Sequence, residues 1–137
     1  MSYLDILEAQ LTLDEGKRNK MYLDSLKVPT IGIGHNLRDV PISDRAVRAI
    51  FEDDMYAAEG DARKLVKTFD DLSDARKAVV VNMAFNLGYR RFAAFSHTIR
   101  MIEGGFFDAA ADAMLDSLWA KQVGERAVRL ADAMRKG

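Results

Sequence analysis

Cysteine is absent from this chain of 137 residues, and histidine occurs only twice, at His35 and His97. The first absence excludes disulfides, thiol nucleophiles and thiolate metal sites. The second leaves too few imidazoles for a multi-histidine metal centre. No metal and no cofactor is therefore expected. No apolar run approaches the ~18 residues of a membrane span, so stable membrane insertion is not expected either. The first 13 residues carry Asp5 and Glu8 where a secretory signal would be basic and then apolar. The expectation is synthesis in the cytoplasm without a signal peptide, with any role outside the membrane needing another route of export. Repeats and low-complexity segments are missing, as are the GxGxxG and P-loop patterns of phosphate-binding loops.

Charge of one sign is also scarce. The formal net charge is −1, made of 7 Lys+Arg against 11 Asp+Glu in residues 1–60 and 13 against 10 in residues 61–137. A balance of +3 over the second part is well short of a nucleic-acid footprint, so nucleic acid is not an expected partner. The length fits one domain, or two small lobes sharing a helix. Roughly two-thirds of the unfolded surface can be buried at this size, enough for a core without staples.

What is present begins with a short helix. Ser2 is a plausible N-cap with Asp5 at the third helical position, and Leu4, Leu7 and Leu11 recur at helical spacing. A stripe of this kind is expected to dock on something larger, because an isolated helix of about ten residues is marginal. Gly16 breaks the pattern just after Glu15. From position 20 to 33 the period shortens, and Thr30-Ile-Gly-Ile-Gly is β-branched and glycine-punctuated, giving two or three short strands around a hairpin loop at 25–29. A helix start at Pro41-Ile-Ser43-Asp44 then opens an amphipathic pattern of more than twenty residues, interrupted only by Gly60. Residues 73–87 are apolar nearly all round and closed by Gly88. Further helices are expected at 94–103, 106–118 and 124–136.

The stretch 13–35 gathers two carboxylates, Glu15 and Asp24, the hydroxyl of Thr30 and the imidazole of His35. Two carboxylates in different surroundings equip a site for glycosidic hydrolysis, one protonated to give a proton to the leaving oxygen, the other ionised to activate water or attack. Glu15, beside Leu13 and an apolar helix, is the candidate for desolvation; Asp24, in a polar loop, is the candidate to stay charged. The ordinary alternative is solvated surface charge. Thr30 is either a strand residue or a water-positioning hydroxyl. For His35 the structural reading prevails, with a partner such as Asp54 tying sheet to long helix. Gly32 and Gly34 suggest close backbone approach.

The run Glu15-Gly-x-Arg-x-Lys-x-Tyr-x-Asp24, followed by Thr30-Ile-Gly-Ile-Gly-His35, resembles the active-site segment of the T-even-type phage lysozymes, glycoside hydrolase family 24. The resemblance continues through Asp54-x-x-Ala-Ala58, Ala75-Arg-x-Ala-x-x-x-Asn82-Met83-x-Phe85-Asn86, Phe95-x-x-x-x-Arg100-Met101, Ser117-x-Trp119 and Gln122-x-x-x-Arg126-Ala, and so covers essentially the whole chain.

It implies a lysozyme-like α+β fold: a small α/β lobe at about 14–60 and a helical lobe at about 61–137 that includes the N-terminal helix 2–12, joined by the long helix, with peptidoglycan glycan strands held in the cleft. Glu15 would be the general acid on the bond between N-acetylmuramic acid and N-acetylglucosamine. Asp24 and Thr30 would hold the attacking water, giving inversion. Arg126 matches the family arginine that reaches the catalytic glutamate. Asn82 and Asn86 fall where polar groups would bind acetamido sugars, although buried helix asparagines are commonly structural. Gly32 is expected to support the substrate-binding floor, and Asp54 to pair with His35. The segment between His35 and Asp54 is shorter than in T-even-type members, which places a reduction in the small lobe. The expected protein is a monomeric endolysin that reaches the cell wall after holin-type release. Its rivals are a peptidoglycan-binding protein with weakened catalysis, a glycosidase acting on chitin-like polymer, and a lytic transglycosylase.

Overall fold

The computed structural model describes all residues, Met1–Gly137. Seven helices and one three-stranded antiparallel sheet make an α+β fold, divided into two compact units, Met1–Arg48 and Ala49–Gly137.

The first unit opens with α1 (Tyr3–Glu15), set by a capping box in which the Ser2 side chain accepts from the Asp5 N–H while the Asp5 carboxylate accepts from the Ser2 N–H. Gly16 ends it at φ 76°, its N–H returning to the Thr12 carbonyl. None of the α1 residues is buried, and Leu4, Leu7 and Leu11 stay 58%, 40% and 42% exposed. Within its unit α1 is set by its two caps, and Leu4, Leu7 and Leu11 border a pocket with Ile33 of the sheet's turn. The sequence reading places residues 2–12 with the helical lobe, whereas here α1 belongs to the unit of the sheet, into which Gly16 leads it directly.

That sheet runs β1 (Arg18–Leu23), β2 (Pro29–Gly32) and β3 (His35–Asn36) in spatial order β1-β2-β3. Tyr22 faces Thr30 and Leu23 faces Pro29, with an irregularity between Arg18 and Tyr22; Thr30 faces Asn36 and Ile31 faces His35 across the second pair. Val28 and Thr30 are the buried residues of this unit.

Helix α2 (Asp44–Leu65) starts in the first unit and continues into the second, passing Gly60 without a break. One glycine costs about 1 kcal/mol against alanine, and buried Ala58 and Ala62 on either side hold the helix through it. The second unit carries the core, built from Ala62, Val66, Phe69, Val79, Val80, Met83, Phe92, Ile102, Met114, Trp119 and Met134. Its central helix α3 (Asp74–Ala93) is capped by Ser73 and kinks at Gly88, φ 78° and ψ 169°. Gly88 is the expected stop, but helix resumes beyond it.

Helices α4 (Ser96–Glu103), α5 (Phe107–Leu115), α6 (Leu118–Val123) and α7 (Glu125–Lys136) complete the chain. The helix expected over 106–118 is α5, which stops earlier, at Leu115, and the short α6 fills the stretch before 124 where no helix is expected. Ser117 separates the two, its hydroxyl donating to the Met114 carbonyl and accepting from the Ala120 N–H. No helix is long and apolar enough to cross a membrane.

Candidate active site

Asp24 follows the last residue of β1, and its loop is built on its own side chain. One carboxylate oxygen, Oδ1, accepts from the Leu26 N–H at 2.8 Å and the Val28 N–H at 2.9 Å. The Asp24 N–H donates to the Val28 carbonyl at 3.0 Å, and Lys27, at φ 60°, donates its N–H to the Asp24 carbonyl. An aspartate at the head of such a turn satisfies backbone donors that no strand partner reaches. The other oxygen, Oδ2, takes no part in the turn.

Thr30, on β2, is 5% exposed, and its hydroxyl donates to the same Val28 carbonyl at 2.8 Å. That carbonyl therefore receives both the Asp24 amide and the Thr30 hydroxyl. With its one proton committed, the Thr30 oxygen can only accept further bonds, which is the polarity needed to hold the second hydrogen of a water.

Glu15 is the last residue of α1 and is exposed, so the desolvation expected from its apolar neighbours is not found. Its carboxyl lies against the β2–β3 turn: a β-carbon on Gly34 would stand 3.0 Å from Glu15 Cδ and Oε2. Gly34 thus fulfils the expectation of close approach. Gly32 does not, since a β-carbon there would meet nothing within 4 Å; its positive φ of 68° is what calls for glycine. The His35 Nε2–H donates to the Val40 carbonyl at 3.1 Å, a structural bond across the loop that follows β3. In that loop Arg38 pairs with Asp39, and the hydrogen bonds from Arg38 and then Asn36 hold the Asp39 carboxyl below the usual carboxylate range. The same Asp39 bond raises Arg38, with a smaller contribution from the charge of Asp24. Asp54 is an exposed residue of α2.

In the second unit, Asn82 Oδ1 accepts from Arg126 Nε at 3.0 Å and Nη2 at 2.7 Å, and Asn86 Oδ1 accepts from the Trp119 indole at 2.8 Å. Both asparagines are half-buried and brace a neighbour with their oxygens. A groove of about 580 Å³ runs past Trp119, walled by Leu87, Phe95, Thr98 and Gln122, with Phe95 edge-on to the indole at 6.1 Å. The sequence reading overlooks the Val28 carbonyl and Arg38. A main-chain acceptor has no sequence signature, but Asp followed four residues later by an apolar residue and then a strand is a legible turn.

A lysozyme-like α+β fold with Glu15 at a helix end, and with Asp24 and Thr30 joined on a small hairpin, is the layout expected of a class of glycoside hydrolase. The phage lysozyme family model matches residues 13–135, and the chain belongs to that family. It is 24% identical over 160 residues to a probable T4-type lysozyme of Dictyostelium discoideum, covering 96% of this chain and 94% of that one. An endolysin of Salmonella phage P22 is 30% identical over 120 residues, covering 82% and 79%. The pre-baseplate central spike protein of Enterobacteria phage T4 is 28% identical over 148 residues; the alignment takes in 88% of this chain and 26% of that longer protein. By family, then, the chain is a lysozyme-type cell-wall hydrolase.

Proposed function

We propose that the protein is an endolysin that hydrolyses the β-1,4 bond between N-acetylmuramic acid and N-acetylglucosamine in peptidoglycan, with inversion, in host cell lysis. The observation that carries this reading is the shared Val28 carbonyl, which joins Asp24 and Thr30 in one hydrogen-bonded unit. In the reaction Glu15 gives its proton to the glycosidic oxygen as the bond to the anomeric carbon breaks. Asp24 accepts a proton from the attacking water, and the Thr30 oxygen accepts that water's other hydrogen. Attack from the face opposite the leaving group inverts the anomeric centre, the arrangement for which two carboxyl groups stand roughly 6.5–9.5 Å apart. Without a water to place, a transglycosylase would have no use for the Asp24–Thr30 unit.

Asn82, Asn86 and Arg126 are proposed to support the substrate side of the reaction. With the oxygens of both asparagines engaged, their amide N–H groups are the donors left to meet acetamido carbonyls. Arg126 is proposed to serve the acid, as in the family. The His35–Asp54 pair is proposed as scaffold, with release to the wall through a separate membrane lesion and action as a monomer.

The test is a wall-clearing assay on permeabilised Gram-negative cells, comparing the parent with Glu15→Gln and analysing the released ends. Reducing ends of inverted configuration and loss of clearing in Glu15→Gln are expected. Equal clearing by both proteins would sink the acid assignment, and 1,6-anhydro ends would move the protein to the transglycosylase class.

A further inference from the structure

Within the first unit no hydrogen bond holds the Glu15 side chain; what its carboxyl meets is bare backbone. An ideal β-carbon on Gly34 falls 3.0 Å from Glu15 Cδ, 3.0 Å from Oε2 and 3.1 Å from Cγ, tighter than nine in ten real β-carbon contacts. Gly34 is also at φ 72°, on a turn whose register is set by Ile31 opposite His35 and Thr30 opposite Asn36. The turn that touches the acid therefore continues the strand that carries Thr30. A glutamate at a helix end is long and mobile, and ordering such a side chain opposes up to about 2 kcal/mol of rotamer entropy. A steric stop on a hydrogen-bonded turn limits that freedom without spending either carboxyl oxygen on a bond.

We propose that Gly34 is a positioning residue for the acid: the side-chain-free backbone of the β2–β3 turn is the stop against which the Glu15 carboxyl rests, indexing it to the Thr30 strand. This rests on the reading of Glu15 as the acid. Glycine is required at position 34 on two separate counts, positive φ and the space for Glu15, and two other glycines separate them. Gly32, at φ 68°, and Gly105, at φ 77°, share the backbone demand, but a β-carbon on either meets nothing within 4 Å.

The experiment combines a stability cycle with kinetics on soluble peptidoglycan fragments. Gly34→Ala is expected to lower Tm more in the parent than in a Glu15→Ala background, while Gly32→Ala lowers Tm equally in both. Gly34→Ala should also lower kcat by about tenfold or more, as a displaced reacting group does, with KM changed by less than about threefold, the mark of an interaction used in the transition state. Gly105→Ala should lose Tm with kcat unchanged. Should Gly34→Ala fail to fold, Gly34→Asn places the same β-carbon in a residue that tolerates positive φ. A Tm loss at position 34 that is independent of Glu15, or a kcat no lower than that of Gly105→Ala, overturns the proposal. Full clearing by Glu15→Gln overturns the acid reading itself, and a Tm coupling between positions 34 and 15 would survive that result.

Discussion

Asp24 and Val28 exchange hydrogen bonds in both directions: the Asp24 N–H donates to the Val28 carbonyl at 3.0 Å, and the Val28 N–H donates to Asp24 Oδ1 at 2.9 Å. The exchange fixes the carboxylate from its own backbone and leaves Oδ2 outside the turn, the oxygen proposed to receive the water's proton. Asp24→Asn and Asp24→Ala should separate the two roles. An asparagine oxygen can still accept from Leu26 and Val28, so Asp24→Asn should unfold within about 1 kcal/mol of the parent while losing about 10²–10⁴ in kcat. Asp24→Ala strands two N–H donors as well, and should be the less stable variant by about 1–3 kcal/mol. Urea unfolding and turnover of the same preparations check both.

Thr30 offers the matching test on the other arm of the Val28 carbonyl. Thr30→Val keeps shape but removes the hydroxyl. The carbonyl retains its bond from Asp24, so the loss of stability should be near 1 kcal/mol. If the oxygen holds the attacking water, kcat should fall by about tenfold or more. Thr30→Ser should keep most of the turnover, and a Thr30→Val enzyme as fast as the parent would remove Thr30 from the chemistry.

The elements that local chemistry determines were legible. Ser2 with Asp5, and Gly16 after Glu15, state where α1 begins and ends, and the glycines of Thr30-Ile-Gly-Ile-Gly mark the turn between β2 and β3. The candidate site is legible as a set of residue types, because two carboxylates and a hydroxyl lie close together in the chain. The hydrogen bonds and contacts among them are not. Whether Gly32 or Gly34 meets Glu15 depends on the direction in which each missing β-carbon would point, which no spacing rule gives. The end of α5 at Leu115 and the short α6 after Ser117 were hidden because apolar residues continue past Ser117, so the periodicity persists while one hydroxyl turns the chain.

Arg76 is the clearest stability prediction in the helical unit. Its Nε donates to the Met134 carbonyl at 2.8 Å and its Nη2 to the Arg135 carbonyl at 2.9 Å, while the guanidinium lies 3.6 Å from the centre of the Phe107 ring. It closes the end of α7, where carbonyls lack helical donors, and joins α3 to α5 and α7. Arg76→Ala should cost about 2–3 kcal/mol, from two charge-assisted bonds and a cation–π contact. Arg76→Lys should recover only part of this because an ammonium lacks the planar fork. Thermal unfolding measures the loss, and hydrogen exchange should place it first at α7.

His35 donates to the Val40 carbonyl, and Asp54 is its proposed second partner. His35→Asn should lower stability by about 1 kcal/mol and leave kcat within about threefold of the parent, since no step of the reaction uses the ring. In a double-mutant cycle with Asp54→Asn, a coupling above about 0.5 kcal/mol is expected for a pair in contact. Zero coupling would leave Val40 as the anchor and remove Asp54 from the pair.

The loop that ends at Val40 should make part of the stability dependent on acid. Hydrogen bonds from Arg38, then Asn36, hold the Asp39 carboxyl below its ordinary value. A carboxyl with a depressed folded pKa contributes stability that is fully present above its unfolded value, near 3.9, and is lost as pH falls through the folded value. Asp39→Asn should therefore lower Tm at neutral pH, and its difference from the parent should shrink once pH drops below about 3.9. The pair is exposed, so salt should weaken the same difference at neutral pH by screening. A Tm difference that stays constant from neutral pH to strong acid would show that Asp39 contributes through shape and not through charge.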